Sequence, residues 1–182
     1  GILHQTRDNG FDKMHHQLPR RVAQLCDELG IPRLLHMSAL QAATSAPSEY
    51  LRSKAAGEQA VMAYSPRLQV TIFRPSVIFG VHDRFINLFA NLIRIVPVLL
   101  LAMPKAKFQP IWVEDVATAM VNAVSEPATY GKVYELGGPA IMTLQQIIEA
   151  VMNTIQVQRP IVGLGLKLSL LQGSVMQCLP VK

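Results

Sequence analysis

Apolar positions along the chain recur with two periods. In DKMHHQLPRRVAQLCDELGI, Val22, Leu25, Cys26 and Leu29 fall at helical spacing, and Gly30 follows as a stop signal. PRLLHMSAL predicts a short buried strand that stops near Ser38, and QAATSAPSE, small and polar, predicts a loop. Ser48 is placed to cap a helix over roughly 49–64. RLQVTIFRPSVIFG alternates and is rich in β-branched residues, which predicts a strand ending near Arg74-Pro75. A mostly apolar helix is expected from Asp83 to Leu101, broken at Pro97, and then a short extended piece, FQPIWV. VEDVATAMVNAVSEP reads as a helix closed by Pro127, and GKVYELGGP as a strand with a Gly-Gly turn. In MTLQQIIEAVMNTIQ, Thr143 caps an amphipathic helix with Ile147, Ile148 and Val151 on one side. The remainder is apolar and punctuated by glycine.

Alternation of helices and strands predicts an α/β fold with a largely parallel sheet and helices on its faces. Ligands of such sheets sit at the carboxyl ends of strands, where Ser38, Arg74 and Pro75 fall. The composition supports a packed core: half of the 182 residues are hydrophobic and 16% are charged. The net charge of +5 is scattered, with Arg20-Arg21 the only adjacent basic pair, so a nucleic-acid surface is not expected. Cys26 and Cys178 lie far apart and outside any metal-ligand spacing, the pattern of reduced thiols in a cytoplasmic-type protein, and no metal site is predicted. The opening residues, with His4, Arg7 and Asp8 and no apolar run, predict no secretory signal. The apolar stretches 85–104 and 160–180 are interrupted by Arg94 and Pro97 and by Lys167 and several glycines. They read as buried or surface-lying segments, not membrane spans.

Tyr50 and Lys54 stand four residues apart in the helix after Ser48, so they share a face. A phenol is a poor base at neutral pH, but a nearby ammonium favours the phenolate. Such a pair can serve as general acid/base, with Ser38 hydrogen-bonding the reacting oxygen and a nicotinamide supplying hydride. Spacing alone is equally compatible with two unrelated residues on one helix.

The order of LLHMSAL, EYLRSKAAGEQAV, VTIFRPSVIFG, WVEDVATAM and VYELGGPAIMTLQQIIEAV is more specific. Together they resemble the extended short-chain dehydrogenase/reductase (epimerase/dehydratase) family over nearly the whole chain. The likeness is to its atypical branch, which includes a nucleotide-binding accessory subunit of respiratory complex I. The resemblance implies the carboxyl-side part of a Rossmann-like doubly wound parallel sheet with a small, mostly helical substrate or lid region. It implies catalytic roles for Tyr50, Lys54 and Ser38. It implies cofactor contacts from Lys54, from Arg74, Pro75, Ser76 and Val77, and from Gly1, Ile2 and Leu3 at the end of a preceding strand. NAD or NADP is the implied cofactor of the intact parent protein.

Two departures qualify this. The family's catalytic Asn falls near His15, so the full tetrad is missing. His15 and His16 could relay protons or be partly exposed bystanders, and His36 reads as a packed or cofactor-flanking residue. The family's glycine-rich phosphate loop and its βαβ unit are absent: Gly137-Gly138 is followed by Pro139 and the pattern fails. The chain therefore reads as a carboxyl-side fragment. Residues 1–80 are expected to form half of the Rossmann-like domain, 81–105 a helical insertion, 106–140 a return to the sheet and 141–182 a terminal helical region. Two functions follow from the resemblance. One is hydride transfer at a carbonyl or alcohol with Tyr50 as acid/base. The alternative is a non-catalytic nucleotide-binding module of a respiratory NADH dehydrogenase assembly, partnered by that complex or a membrane face and peripheral to the inner membrane.

Overall fold

The structure is a computed structural model that describes residues 2, 3, 5, 10–65 and 67–164. In chain order, a π-helical turn (Lys13–Gln17) leads into α1 (Leu18–Glu28), β1 (Arg33–Met37), α2 (Glu49–Met62), β2 (Gln69–Pro75) and β3 (Ile78–Phe79). Then come α3 (Ile86–Ile95), β4 (Leu99–Ala102), β5 (Lys107–Phe108), β6 (Ile111–Trp112) and α4 (Val113–Ala123). The last elements are β7 (Lys132–Leu136), β8 (Met142–Thr143), α5 (Leu144–Ile155) and β9 (Ile161–Leu164). Two compact units result. The first comprises Gly1–Ser76 and Ile111–Gly137, the second Val77–Pro110 and the chain from Gly138.

The first unit holds a parallel sheet in the order β1-β2-β7. The central strand β2 is buried on both faces, as a parallel strand between layers should be. Its Val70 and Ile72 join Leu68, Val61 of α2 and Ala23 and Cys26 of α1 in one apolar core. Ser48 caps α2 as its position predicts: its Oγ accepts from the Leu51 N–H at 3.2 Å. Arg33 locks the other end of the sheet. Its guanidinium donates to the Gln69 and Ala123 carbonyls at 2.6 and 2.7 Å and lies 4.6 Å from the Tyr130 ring centre. It thereby satisfies one of the carbonyls that the end of α4 leaves open.

The first helix carries an irregularity the sequence reading did not foresee. Pro19 has no N–H to offer the His15 carbonyl four residues back, and its ring would crowd that oxygen in a regular turn. The chain widens there, and the Leu18 N–H bonds the Lys13 carbonyl five residues back.

In the second unit, α3 and α5 pack around Ala90, Ile93, Leu99, Leu101, Leu144, Ile148, Val151 and Met152. Thr143 and Gln146 form a reciprocal capping box at the start of α5. The helix expected to reach Leu101 ends instead at Ile95. After Pro97 the chain is extended, and Leu99–Ala102 pairs in parallel with Ile161–Leu164, a strand within the region expected to be helical. Asp83 is consumed locally: its carboxylate accepts from the Ile86 N–H and the Asn87 side chain. Among the described residues no helix is long and apolar enough to cross a membrane.

Candidate functional site

β1 ends at Met37, and the ladder runs one residue further: the Ser38 N–H donates to the Phe73 carbonyl at 2.7 Å. Ser38 is thus pinned at the strand tip, 4% exposed, and its hydroxyl has no hydrogen-bond partner among the described residues. α2 supplies Tyr50, Lys54 and Glu58 at successive four-residue steps along one face. The Lys54 ammonium reaches back to the strand and donates to the Met37 carbonyl at 2.8 Å. Lys54 is buried, and that burial lowers its pKa while the Glu58 carboxylate opposes the change. Glu58 itself takes a two-pronged bond from Arg74 of β2, Nε to Oε1 at 2.8 Å and Nη2 to Oε2 at 2.6 Å. Glu135 of β7 approaches the same guanidinium at 3.8 Å.

Tyr50 differs from expectation. Spacing predicts a phenol whose pKa is lowered by Lys54. Instead, burial raises it above its ordinary value. The Tyr50 ring is wedged edge-on against Phe11 and His15, with ring centres 5.9 and 5.3 Å away. His15 is no exposed bystander: it is 2% exposed. Its Nε2 accepts from the Ile2 N–H at 2.9 Å, its Nδ1 lies 2.9 Å from the Ser53 hydroxyl, and that hydroxyl donates to the Tyr50 carbonyl at 2.7 Å. Burial first, then the Lys54 charge, hold its pKa down at about 4. His16 is the partly exposed one, bonded to Asp12 at 2.8 Å.

His36, on β1, is also held at about 4 by burial and by Lys54. Its Nε2 and the Ser38 hydroxyl are the buried side-chain polar atoms that find no partner among the described residues. A buried hydroxyl left open at a strand tip is the arrangement a ligand oxygen would complete.

Of the sequence-predicted residues, Ser38, Tyr50, Lys54 and Arg74 come from adjacent elements of the first unit. Arg74, expected among the cofactor contacts, is engaged by Glu58 through Nε and Nη2 and approached by Glu135. Pro75 and Ser76 continue the sheet edge: the Pro75 carbonyl accepts from the Leu40 N–H, and the Ser76 N–H donates to the Leu136 carbonyl. Val77 opens the second unit. Ile2 touches the site through His15, Leu3 is 64% exposed, and Gly1 lies outside the described residues. Sequence reasoning missed Ser53, Gly57 and Glu58. The signal available was their spacing from Tyr50 and Lys54 within YLRSKAAGE. A separate open groove of about 510 Å³ is lined by His16, Arg20, Ala56, Gln59, Ala60, Ala63 and Tyr64, and includes none of Ser38, Tyr50, Lys54 and Arg74. No cluster of three or more metal-ligating side chains occurs among the described residues.

The RmlD substrate binding domain model matches residues 12–168. Among curated proteins, the chain is 40% identical over 137 residues to mouse (Mus musculus) NADH dehydrogenase [ubiquinone] 1 alpha subcomplex subunit 9, mitochondrial, covering 74% of this chain and 36% of that one. The protein of the same name from Arabidopsis thaliana is 36% identical over 159 residues, covering 86% and 39%. The chain thus spans less than half the length of these relatives. Among solved structures, dTDP-glucose 4,6-dehydratase from Streptomyces venezuelae with NAD and DAU bound superposes with a TM-score of 0.74 at 18% identity, over 90% of this chain and 59% of that one. UDP-glucose 4-epimerase from Thermus thermophilus in complex with NAD gives 0.65 at 20%, over 79% and 55%. These structures share the fold. The chain belongs to the RmlD substrate binding domain family and is similar to the mitochondrial NADH dehydrogenase subunit.

Proposed function

We propose that this member of the family is the nicotinamide-side part of a dinucleotide-binding accessory module in a mitochondrial respiratory NADH dehydrogenase assembly. In this reading the dinucleotide is NAD or NADP and is held as a structural element. Lys54 and Ser38 are the residues to hold its nicotinamide half, at the strand ends where Pro75 and Ser76 lie. The observation that carries the reading is the Lys54 amine bonded to the Met37 carbonyl beside a phenol raised by burial. The bond fixes the Lys54 amine at the strand end, and the raised phenol does not favour Tyr50 as a base. The names and identities of the curated relatives support the assembly.

The second reading is hydride transfer at a carbonyl or alcohol, with Tyr50 as the acid and Ser38 orienting the substrate oxygen. The unpartnered Ser38 hydroxyl favours it. The nicotinamide, when bound, supplies or accepts the hydride. A protonated Tyr50 suits the reductive direction, where it gives a proton to the nascent alkoxide.

One experiment separates the two. The full-length protein is purified, its bound nucleotide is extracted and identified by mass spectrometry, and turnover is followed on a panel of carbonyls and alcohols. Stoichiometric nucleotide without turnover, unchanged in Tyr50→Phe, supports the module. Turnover abolished by Tyr50→Phe supports the enzyme. Absence of nucleotide from the wild-type protein, even after incubation with NAD(H) and NADP(H), refutes both.

A further inference from the structure

The surroundings of His15 fix its chemistry. A backbone N–H can only donate, so the Ile2 bond makes Nε2 an acceptor that carries no proton. In a neutral imidazole the proton is then on Nδ1, and Nδ1–H donates to the Ser53 hydroxyl. That hydroxyl spends its own proton on the Tyr50 carbonyl. All donors in the chain point one way, from Ile2 through His15 and Ser53 to the first turn of α2. The arrangement has a single tautomer and leaves no nitrogen free to pass a proton onward. The ring also stands edge-on to Tyr50, at an interplanar angle of 88°.

We propose that His15 is a positioning residue for Tyr50: locked in the neutral Nδ1–H form, it ties the Ile2 backbone to the Tyr50 turn through Ser53 and walls one side of the phenol. It is not a proton relay. The groups around it act in both directions. From α2 it faces the Lys54 ammonium, which disfavours a second proton, and His36 of β1 interacts with it; the Ile2 backbone contact acts the other way. His16, one residue on, is turned to Asp12 and takes no part. The proposal rests on the reading above only in giving Tyr50 a ligand to face.

The test uses full-length protein with ¹⁵N-labelled histidine and ¹³Cζ-labelled tyrosine. In the wild type, the His15 nitrogens should report the neutral Nδ1–H tautomer, unchanged from pH 8 to pH 6. His15→Phe keeps the ring and removes both bonds. The Tyr50 titration should then fall toward its ordinary value as water reaches the loosened phenol. Ser53→Ala should act in the same direction, and His15→Gln, which can still accept and donate, should restore most of the shift. A His15 that carries its proton on Nε2, or that titrates near neutrality, overturns the assignment. So does a folded His15→Phe protein whose Tyr50 titrates as in the wild type. If His15→Phe does not fold, the wild-type tautomer and Ser53→Ala decide. None of these readouts needs turnover or bound nucleotide, so failure here is distinguishable from failure of the functional reading.

Discussion

The carbonyl oxygen of His15 lies where Gly57 would carry a side chain: a Cβ built on Gly57 would meet it at 2.0 Å. That oxygen is the one Pro19 leaves without a regular helical donor, so the widened turn and the bare glycine are two halves of one contact. In an exposed helix interior, Gly→Ala is stabilising by about 0.5–1 kcal/mol. Here the sign reverses. Gly57→Ala should destabilise the protein by about 1–3 kcal/mol, the cost of forcing an extra carbon into a packed contact. Urea unfolding of the variant checks it, and a gain in stability would refute the close approach.

Arg74 and Glu58 make a paired-charge contact whose carboxylate is almost fully enclosed. Removing one partner of such a pair leaves the other charged and dehydrated, at a cost of about 3–5 kcal/mol, whereas replacing both by apolar groups is often close to neutral. Arg74→Met alone should therefore be strongly destabilising, and Arg74→Met with Glu58→Leu should recover most of the loss. A double-mutant cycle measures this. Additive losses would mean that the two side chains do not couple.

His36 predicts a pH dependence. An unfolded imidazole titrates near 6.5, and in the folded chain His36 is held at about 4. Its contribution to stability is complete above the unfolded value and is lost as pH falls toward the folded one, because the unfolded chain takes up a proton that the folded chain refuses. His15 acts in the same direction. Unfolding free energy should fall between about pH 6.5 and pH 4, with roughly 3 kcal/mol at stake for His36. His36→Phe should flatten the profile in that window and, by deleting an unpartnered buried nitrogen, should not destabilise the protein at pH 7. Profiles that superpose would remove His36 from the account.

What the sequence disclosed follows the range of the interactions. Ser48 and Thr143 were legible as caps because each bonds a backbone N–H three residues on. The parallel sheet was legible because helices and strands alternate. Leu99–Ala102 was not: a short apolar run fits helix or strand, and its partner Ile161–Leu164 is remote in sequence. In the site, spacing placed Tyr50 and Lys54 on one face but could not say where the amine would turn. That depended on the Met37 carbonyl, brought in by a different element. The role of His15 was out of reach for the same reason, since it needs Pro19, Gly57, Ser53 and Ile2 at once.

Lys54 gives the last prediction, and it tests the electrostatics of the whole corner. The amine is the second cause, after burial, of the low pKa of both His15 and His36. Lys54→Met keeps the aliphatic stem and removes the charge. Both imidazoles should then titrate higher, part of the way from about 4 toward 6.5, because burial remains. Following the Hε1 proton resonances against pH in the wild type and in Lys54→Met measures this directly. Lys54→Arg should leave both histidines low, since an arginine retains the charge, yet its larger planar head does not fit the buried place of the ammonium. Nucleotide retention should therefore be lost in both variants while the histidine shifts differ between them. Should neither histidine move in Lys54→Met, the ammonium does not sit where the structure has it, and the case for Lys54 as the anchor of the site falls with it.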